Sequence, residues 1–343
     1  MPRLSSCGQS GVVPNRSWSG SLAPLLMLCL ALIGSCRSRF TPVSTVESLA
    51  FGQPLTLNMA INSAELLKLA TGLALAEVRR IEETLDPVNT AGSLYQLNQT
   101  HTSDDQELYQ LLEQALVVSE LTGGGLNLFM GHLERAYGFF RIAPQPPRES
   151  LIREIMLPIQ RAKINLSPER SRVEIPNDAY AVSLTGIQEG YTADQALAML
   201  ELSGIREAAV QLGANLACAG SPDGLGWEHA ITNPATGAVL VRLFLENCGL
   251  ATASILDQAY TYRDLSYYNH LDSRTGLLAD SLLSVTVIAP STELAAALAR
   301  GIFPIGPVRG MQLLNELPAV DGLLLDQAGR VLVSDSLFIW IGG

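Results

Sequence analysis

Four stretches of the chain set glycines beside polar side chains. Such turns let backbone N–H groups approach a phosphate where a Cβ would obstruct. The first is Ser119-Glu-Leu-Thr-Gly-Gly-Gly125-Leu126-Asn127, followed closely by Tyr137-Gly-Phe139. The second is Ser183-Leu-Thr-Gly186-Ile-Gln-Glu189-Gly190-Tyr191, the third Gly213-Ala214-Asn215, and the fourth His270-Leu-Asp272-Ser-Arg274-Thr-Gly276. After an apolar strand, Ser284-Val-Thr-Val-Ile-Ala289, residues 291–306 read as a helix that sets Ala296 and Arg300 four apart on one face. Taken singly, these residues leave two readings open. Asn127, Asn215 and Asp272 are turn-formers as readily as ligand contacts, and Arg300 is equally a solvated helix residue. Glu189 reads as a site residue, and His270 is the one histidine beside a motif. His101, His132 and His229 read as ordinary loop or strand residues, and Trp227 as a core anchor.

The elements that must position these residues follow from periodicity. Asn62-x-x-Glu65 reads as a capping box, and Leu67, Ala70, Ala74, Val78, Ile81 and Leu85 then recur on one helical face that stops at Pro87. Ser103-x-x-Gln106 opens a second helix, with Leu108, Leu111, Leu112, Ala115 and Val118 inward, and residues 86–105 read as a polar surface loop. Thr192-x-x-Gln195 caps a third helix over residues 193–202. Residues 141–150 hold three prolines and read as a loop. Residues 208–212 read as a strand ending in Gly213, and Val239 to Leu245 alternate as a half-buried strand. The pattern at residues 323–333 is that of a hairpin around Asp326-Gln-Ala-Gly-Arg330. Helices and strands mix without a βαβ rhythm, so the expected class is α+β.

Composition narrows the partners. The 343 residues carry 22 basic and 33 acidic side chains, a formal charge of −11, which argues against a nucleic-acid partner. Lys68 and Lys163 are the only lysines, so the basic chemistry is arginine chemistry. Near the start, an apolar run over residues 22–33 suits a signal peptide and ends in Ile33-Gly34-Ser35-Cys36, the form of a bacterial lipoprotein cleavage box. The expectation is residues 1–36 as a leader, a lipid anchor on Cys36, a tether over 37–50 and one folded domain over 51–335, exported and membrane-anchored, facing the periplasm or cell exterior. No Cys/His spacing suits structural zinc, and Cys218 and Cys248 are expected as buried thiols with no disulfide.

In order and spacing, these segments resemble the ApbE family, the FAD:protein FMN transferases, over about residues 51–333. The resemblance implies an α+β, T-fold-like unit of mixed sheets with packed helices. It implies transfer of FMN from FAD to a threonine or serine hydroxyl of a partner redox protein, with Mg2+ neutralising the diphosphate. Carried over by position, Gly125, Leu126 and Asn127 would touch the flavin nucleotide, and the Gly186 carbonyl would help hold the metal. Glu189, Gly213, Asn215, His270 and Asp272 would complete the cofactor site. The chain departs from the pattern at several places. Asn127, Asn215 and Ser183 stand where the family has aspartate, and Asn269 where it has histidine. Ala296 and Arg300 stand where aspartate and threonine complete the magnesium site. One backbone carbonyl does not make an octahedral site, so the metal is expected to be lost, with Arg300 turned to the diphosphate as a fixed cation. Three readings follow: an altered transferase, a flavin-binding member without transfer, or a ligand-free assembly factor.

Overall fold

The computed structural model describes residues 41–139, 141–159 and 162–342. The leader, the Cys36 anchor and the first part of the tether lie outside them. Eight strands build one sheet in chain order: β1 (Val43–Ala50), β2 (Gln53–Ala60), β3 (Ala208–Leu212), β4 (Asn215–Ala219), β5 (Cys248–Ser254), β6 (Leu282–Ala289), β7 (Asp321–Asp326) and β8 (Val331–Val333). Every ladder in it is antiparallel. β1 occupies residues read from the sequence as tether; it pairs with β2 from Val43↔Ala60 to Ala50↔Gln53. Its pattern was obscured because only Ala50 of the eight residues is buried.

Seven α-helices are described: α1 (Ala64–Leu85), α2 (Ser93–Thr100), α3 (Gln106–Leu121), α4 (Gly131–Tyr137), α5 (Glu149–Ile159), α6 (Ile187–Leu202) and α7 (Thr292–Glu316). The apolar faces expected of α1 and α3 are those that are buried. Their caps differ from expectation. Ser63 Oγ accepts from Leu66 N, and Asp105 Oδ1 accepts from Leu108 N, so the caps sit one and two residues later than read. The stretch expected to be a polar loop contains α2, which buries Leu94 and Leu97. α6 starts six residues before the expected position, at the Gly186 cap, because Glu189 Oε2 accepts the Gly186 N–H at 2.7 Å. Thr192 is no cap; its hydroxyl donates to the Gln188 carbonyl inside the helix. α7 continues past Gly306, which kinks it at φ +81 between Pro304 and Pro307.

α1 and α6 cover one face of β2, β3 and β4, burying Leu55, Leu57 and Met59 against Ala70, Ala74, Ala196 and Leu200. α7, α3 and the loops beyond cover β5 to β7 in a larger core that holds Phe303 and Leu298. A hairpin of Trp227–Thr232 and Val239–Leu245 closes the opposite face, so Trp227 is the expected core anchor, its Nε1 donating to the Ala219 carbonyl. In that core Cys218 and Cys248 face each other across β4 and β5, both as free thiols. α6 and α7 approach closely because Gly190 faces the chain at Thr292 and Ala296, where a Cβ would lie 2.7 Å from the Thr292 carbonyl. That approach brings the start of α6 and the middle of α7 together over one end of the sheet.

Candidate active-site cleft

Between the β1–β2 turn, the start of α6, the β3–β4 turn, β5 and α7 lies a cleft of about 540 Å³, within the usual range for a small-molecule site. It brings together Gly186, Glu189, Asn215, His270 and Arg300 from distant parts of the sequence. Phe51 and Phe139 add aromatic surface at its wall. Gly125, Leu126 and Asn127 line a smaller hollow next to it, which shares Asn269, His270 and Arg300 with the cleft. Gly125 is required for packing, since a Cβ there would collide with the Gly301 carbonyl of α7, and Asn127 Oδ1 accepts from Phe129 N. Asp272 lies outside the cleft. It pairs with Arg274 at 2.8 Å and lines a separate cavity of about 350 Å³ beside the α7 kink.

Several residues have structural work that their spacing did not show. Gly213 holds φ +57 in the tight β3–β4 turn, and a Cβ there would collide with the Gln53 side chain. Gln53 is thereby free to donate from Nε2 to Glu189 Oε1 at 3.2 Å. Asn215 donates to the Leu212 carbonyl across the same turn while also facing the cleft. Glu189 is buried between Gly186 N and Gln53, and burial pushes its pKa up to about 7.

Sequence reasoning missed Asp257 and Glu134, the two carboxylates that organise the cleft. Asp257 is fixed by Ser254, whose N–H and hydroxyl both donate to it, and its Oδ2 meets His270 Nε2 at 2.7 Å. The His270 ring stacks on Phe303 at 4.3 Å between centroids, and its Nδ1 has no protein partner. Burial lowers the His270 pKa, so the imidazole is neutral near pH 7. Glu134 on α4 is 1% exposed; its Oε1 takes Arg300 Nη2 at 2.6 Å, and its Oε2 accepts from Ser183 Oγ at 2.6 Å and Thr185 Oγ1 at 3.2 Å. Nothing in Gly-His-Leu-Glu134 marks that carboxylate, because its partner stands 166 residues away.

The fit to a magnesium ion fails on this geometry. Ala296 brings a methyl group to the cleft, and Arg300 brings a guanidinium committed on one edge to Glu134. Among the described residues no three His, Cys, Asp or Glu side chains gather as a metal site. Arg300 borders the cleft with one nitrogen, Nη2, held by Glu134 and 3.4 Å from Asn269 Oδ1.

The model of the ApbE family matches residues 51–324, most of the chain and all of the cleft-forming elements. The chain belongs to the ApbE family. A curated relative from Treponema pallidum, an FAD:protein FMN transferase, is 29% identical over 250 residues, covering 67% of this chain and 68% of its own. The FAD:protein FMN transferase of Vibrio cholerae is 26% identical over 275 residues, covering 75% and 81%. The fold agrees with the crystal structure of the ApbE protein of Thermotoga maritima, at a TM-score of 0.81 and 20% identity over 88% of this chain and all of that one. The flavin transferase ApbE of Vibrio cholerae superposes at a TM-score of 0.72 with 22% identity, again over 88% of this chain. The ApbE-like α+β fold expected from the sequence is therefore the fold of this chain.

Proposed function

We propose that the cleft binds FAD and that the chain acts as an FAD:protein FMN transferase. The observation that carries this reading is the convergence of Gly186, Asn215, His270 and Arg300 on one cleft of about 540 Å³ inside the family match. In the reaction, a threonine or serine hydroxyl oxygen of a partner redox protein bonds to the FMN-side phosphorus. The bond from that phosphorus to the bridging oxygen breaks, AMP leaves, and the hydroxyl proton passes to a base. Phe51 and Phe139 offer apolar faces to a planar ring.

A second reading is favoured by one observation, the Ala296 and Arg300 wall that lacks oxygen ligands: the chain binds FAD or a flavinylated partner without transfer. Incubation of the purified chain with FAD and a target protein carrying an Asp-Gly-x-Thr/Ser-Gly-Ala-Thr-like stretch separates the two. Transfer adds the mass of FMN to the target and releases AMP in equal amount. FAD fluorescence quenching without AMP release supports the binding reading alone, and no quenching at high micromolar protein refutes both.

The same proposal places the chain at a membrane by a lipid on Cys36 and outside the cytoplasm. It rests on the Gly-Ser-Cys36 box; no helix among the described residues is long and apolar enough to cross a membrane. Processing insensitive to globomycin, with no lipid mass on Cys36, refutes it.

A further inference from the structure

We infer that Arg300, held by Glu134, is a built-in set of oriented N–H donors that binds the phosphate groups of the ligand where a divalent metal ion would otherwise do so. The inference rests on the reading of the cleft as an FAD site and goes beyond it by assigning how the diphosphate is recognised.

The arrangement has the features of a fixed donor. Glu134 is almost fully buried, and both carboxylate oxygens are occupied: Oε1 by Arg300 Nη2, Oε2 by the hydroxyls of Ser183 and Thr185. A carboxylate so tied has little freedom to move, so the guanidinium it grips is equally fixed. Among the described residues, the Arg300 hydrogen bonds are made through Nη2, to Glu134 and to Asn269. Nε and Nη1 make none, yet neither is an unsatisfied buried atom, and the side chain is 17% exposed and borders the cleft. Those N–H groups therefore open onto the cleft. Nη1 also lies beside the turn that starts α6, where Gly186 holds φ +87 and a Cβ would sit in ordinary contact with it at 3.6 Å.

Glu134 cancels the formal charge of Arg300, so the pair does not attract anions by net charge. What it provides is a planar set of directed N–H donors, already oriented and only partly satisfied, a geometry that matches phosphate oxygens. A divalent ion placed beside the same guanidinium would meet repulsion and an Ala296 methyl where an oxygen ligand is required. The two modes of holding a diphosphate exclude each other at this wall, and the residues present serve hydrogen bonding by the guanidinium.

The test is FAD binding to the purified full chain, read by flavin fluorescence in EDTA and in excess Mg2+, with inorganic pyrophosphate as competitor. The expected result is one affinity in both media and competition by pyrophosphate in EDTA. Arg300→Lys keeps a cation against Glu134 but loses the planar fork, and should weaken FAD and pyrophosphate about tenfold or more. The double variant E134Q/R300M removes charge and counter-charge together, leaves no buried carboxylate unpaired, and should show the same loss while unfolding cooperatively. Binding that requires Mg2+, or Arg300→Lys binding as tightly as the parent chain, overturns the inference while leaving the FAD site standing. Absence of FAD binding in both media overturns the FAD reading itself, and the inference with it.

Discussion

Glu189→Gln should change how stability depends on pH, in a direction set by burial. Glu189 is 2% exposed, and burial pushes its pKa from the ordinary 4.5 up to about 7. Between those two values the native chain holds a proton there that the unfolded chain has released. Stability therefore falls as pH rises from about 4.5 to about 7 and levels off above. Each pKa unit is worth ~1.4 kcal/mol, so the loss from this one group is at most about 3.5 kcal/mol. Glu293 at the start of α7 is also pushed up to about 7, by burial first and then by Asp194, and keeps its own part of the slope in the variant. A glutamine retains an oxygen for the Gly186 N–H, and the Gln53 amide can turn to face its new partner. Urea unfolding of parent and variant, followed from pH 5 to pH 8.5, measures the difference. The variant should show a less negative slope of stability between pH 5 and 7 and be the more stable chain at pH 8. Equal slopes, or a variant less stable at pH 8, would refute the argument from burial.

Other outcomes follow from the same geometry. Restoring oxygen ligands with Ala296→Asp and Arg300→Thr should make FAD binding respond to Mg2+; an unchanged response means that these positions do not face the diphosphate. Phe303→Ala removes a fully buried ring that stacks on His270 and packs edge-on against Tyr268, and should cost about 3–5 kcal/mol of stability, measured by chemical denaturation. Cys218 and Cys248, 2% and 7% exposed, should resist alkylation in the native chain and label fully after unfolding. Rapid labelling of either native thiol would contradict the packing beneath the Trp227 hairpin.

Much of the fold was legible because burial imposes period. The faces of α1 and α3, the β3 strand and the β7–β8 hairpin are sides of one core, and each repeats at the spacing that its geometry requires. What escaped lacked such a signal. β1 is an edge strand whose residues are mostly open to solvent, and α2 is eight residues long with only Leu94 and Leu97 inward. The start of α6 was misplaced because its cap is a glycine, whose contribution is a backbone N–H bonded by a later glutamate, while Thr192 mimics a cap inside the helix. Glycines mark the turns that border the cleft, and Gly186, Glu189, Asn215, His270 and Arg300, picked out by the register of motifs, all line it. Glu134 and Asp257 were not legible. Each is defined by a partner brought near only by the fold, Arg300 in one case and His270 in the other.

The most direct measurement is the crystal structure of this chain grown with both FAD and Mg2+. A phosphate oxygen at hydrogen-bond distance, ~3 Å, from Arg300 Nε or Nη1, with Glu134 still gripping Nη2, is the predicted result. A six-coordinate cation seated at the Ala296 wall, with the guanidinium swung away from the diphosphate, would contradict it.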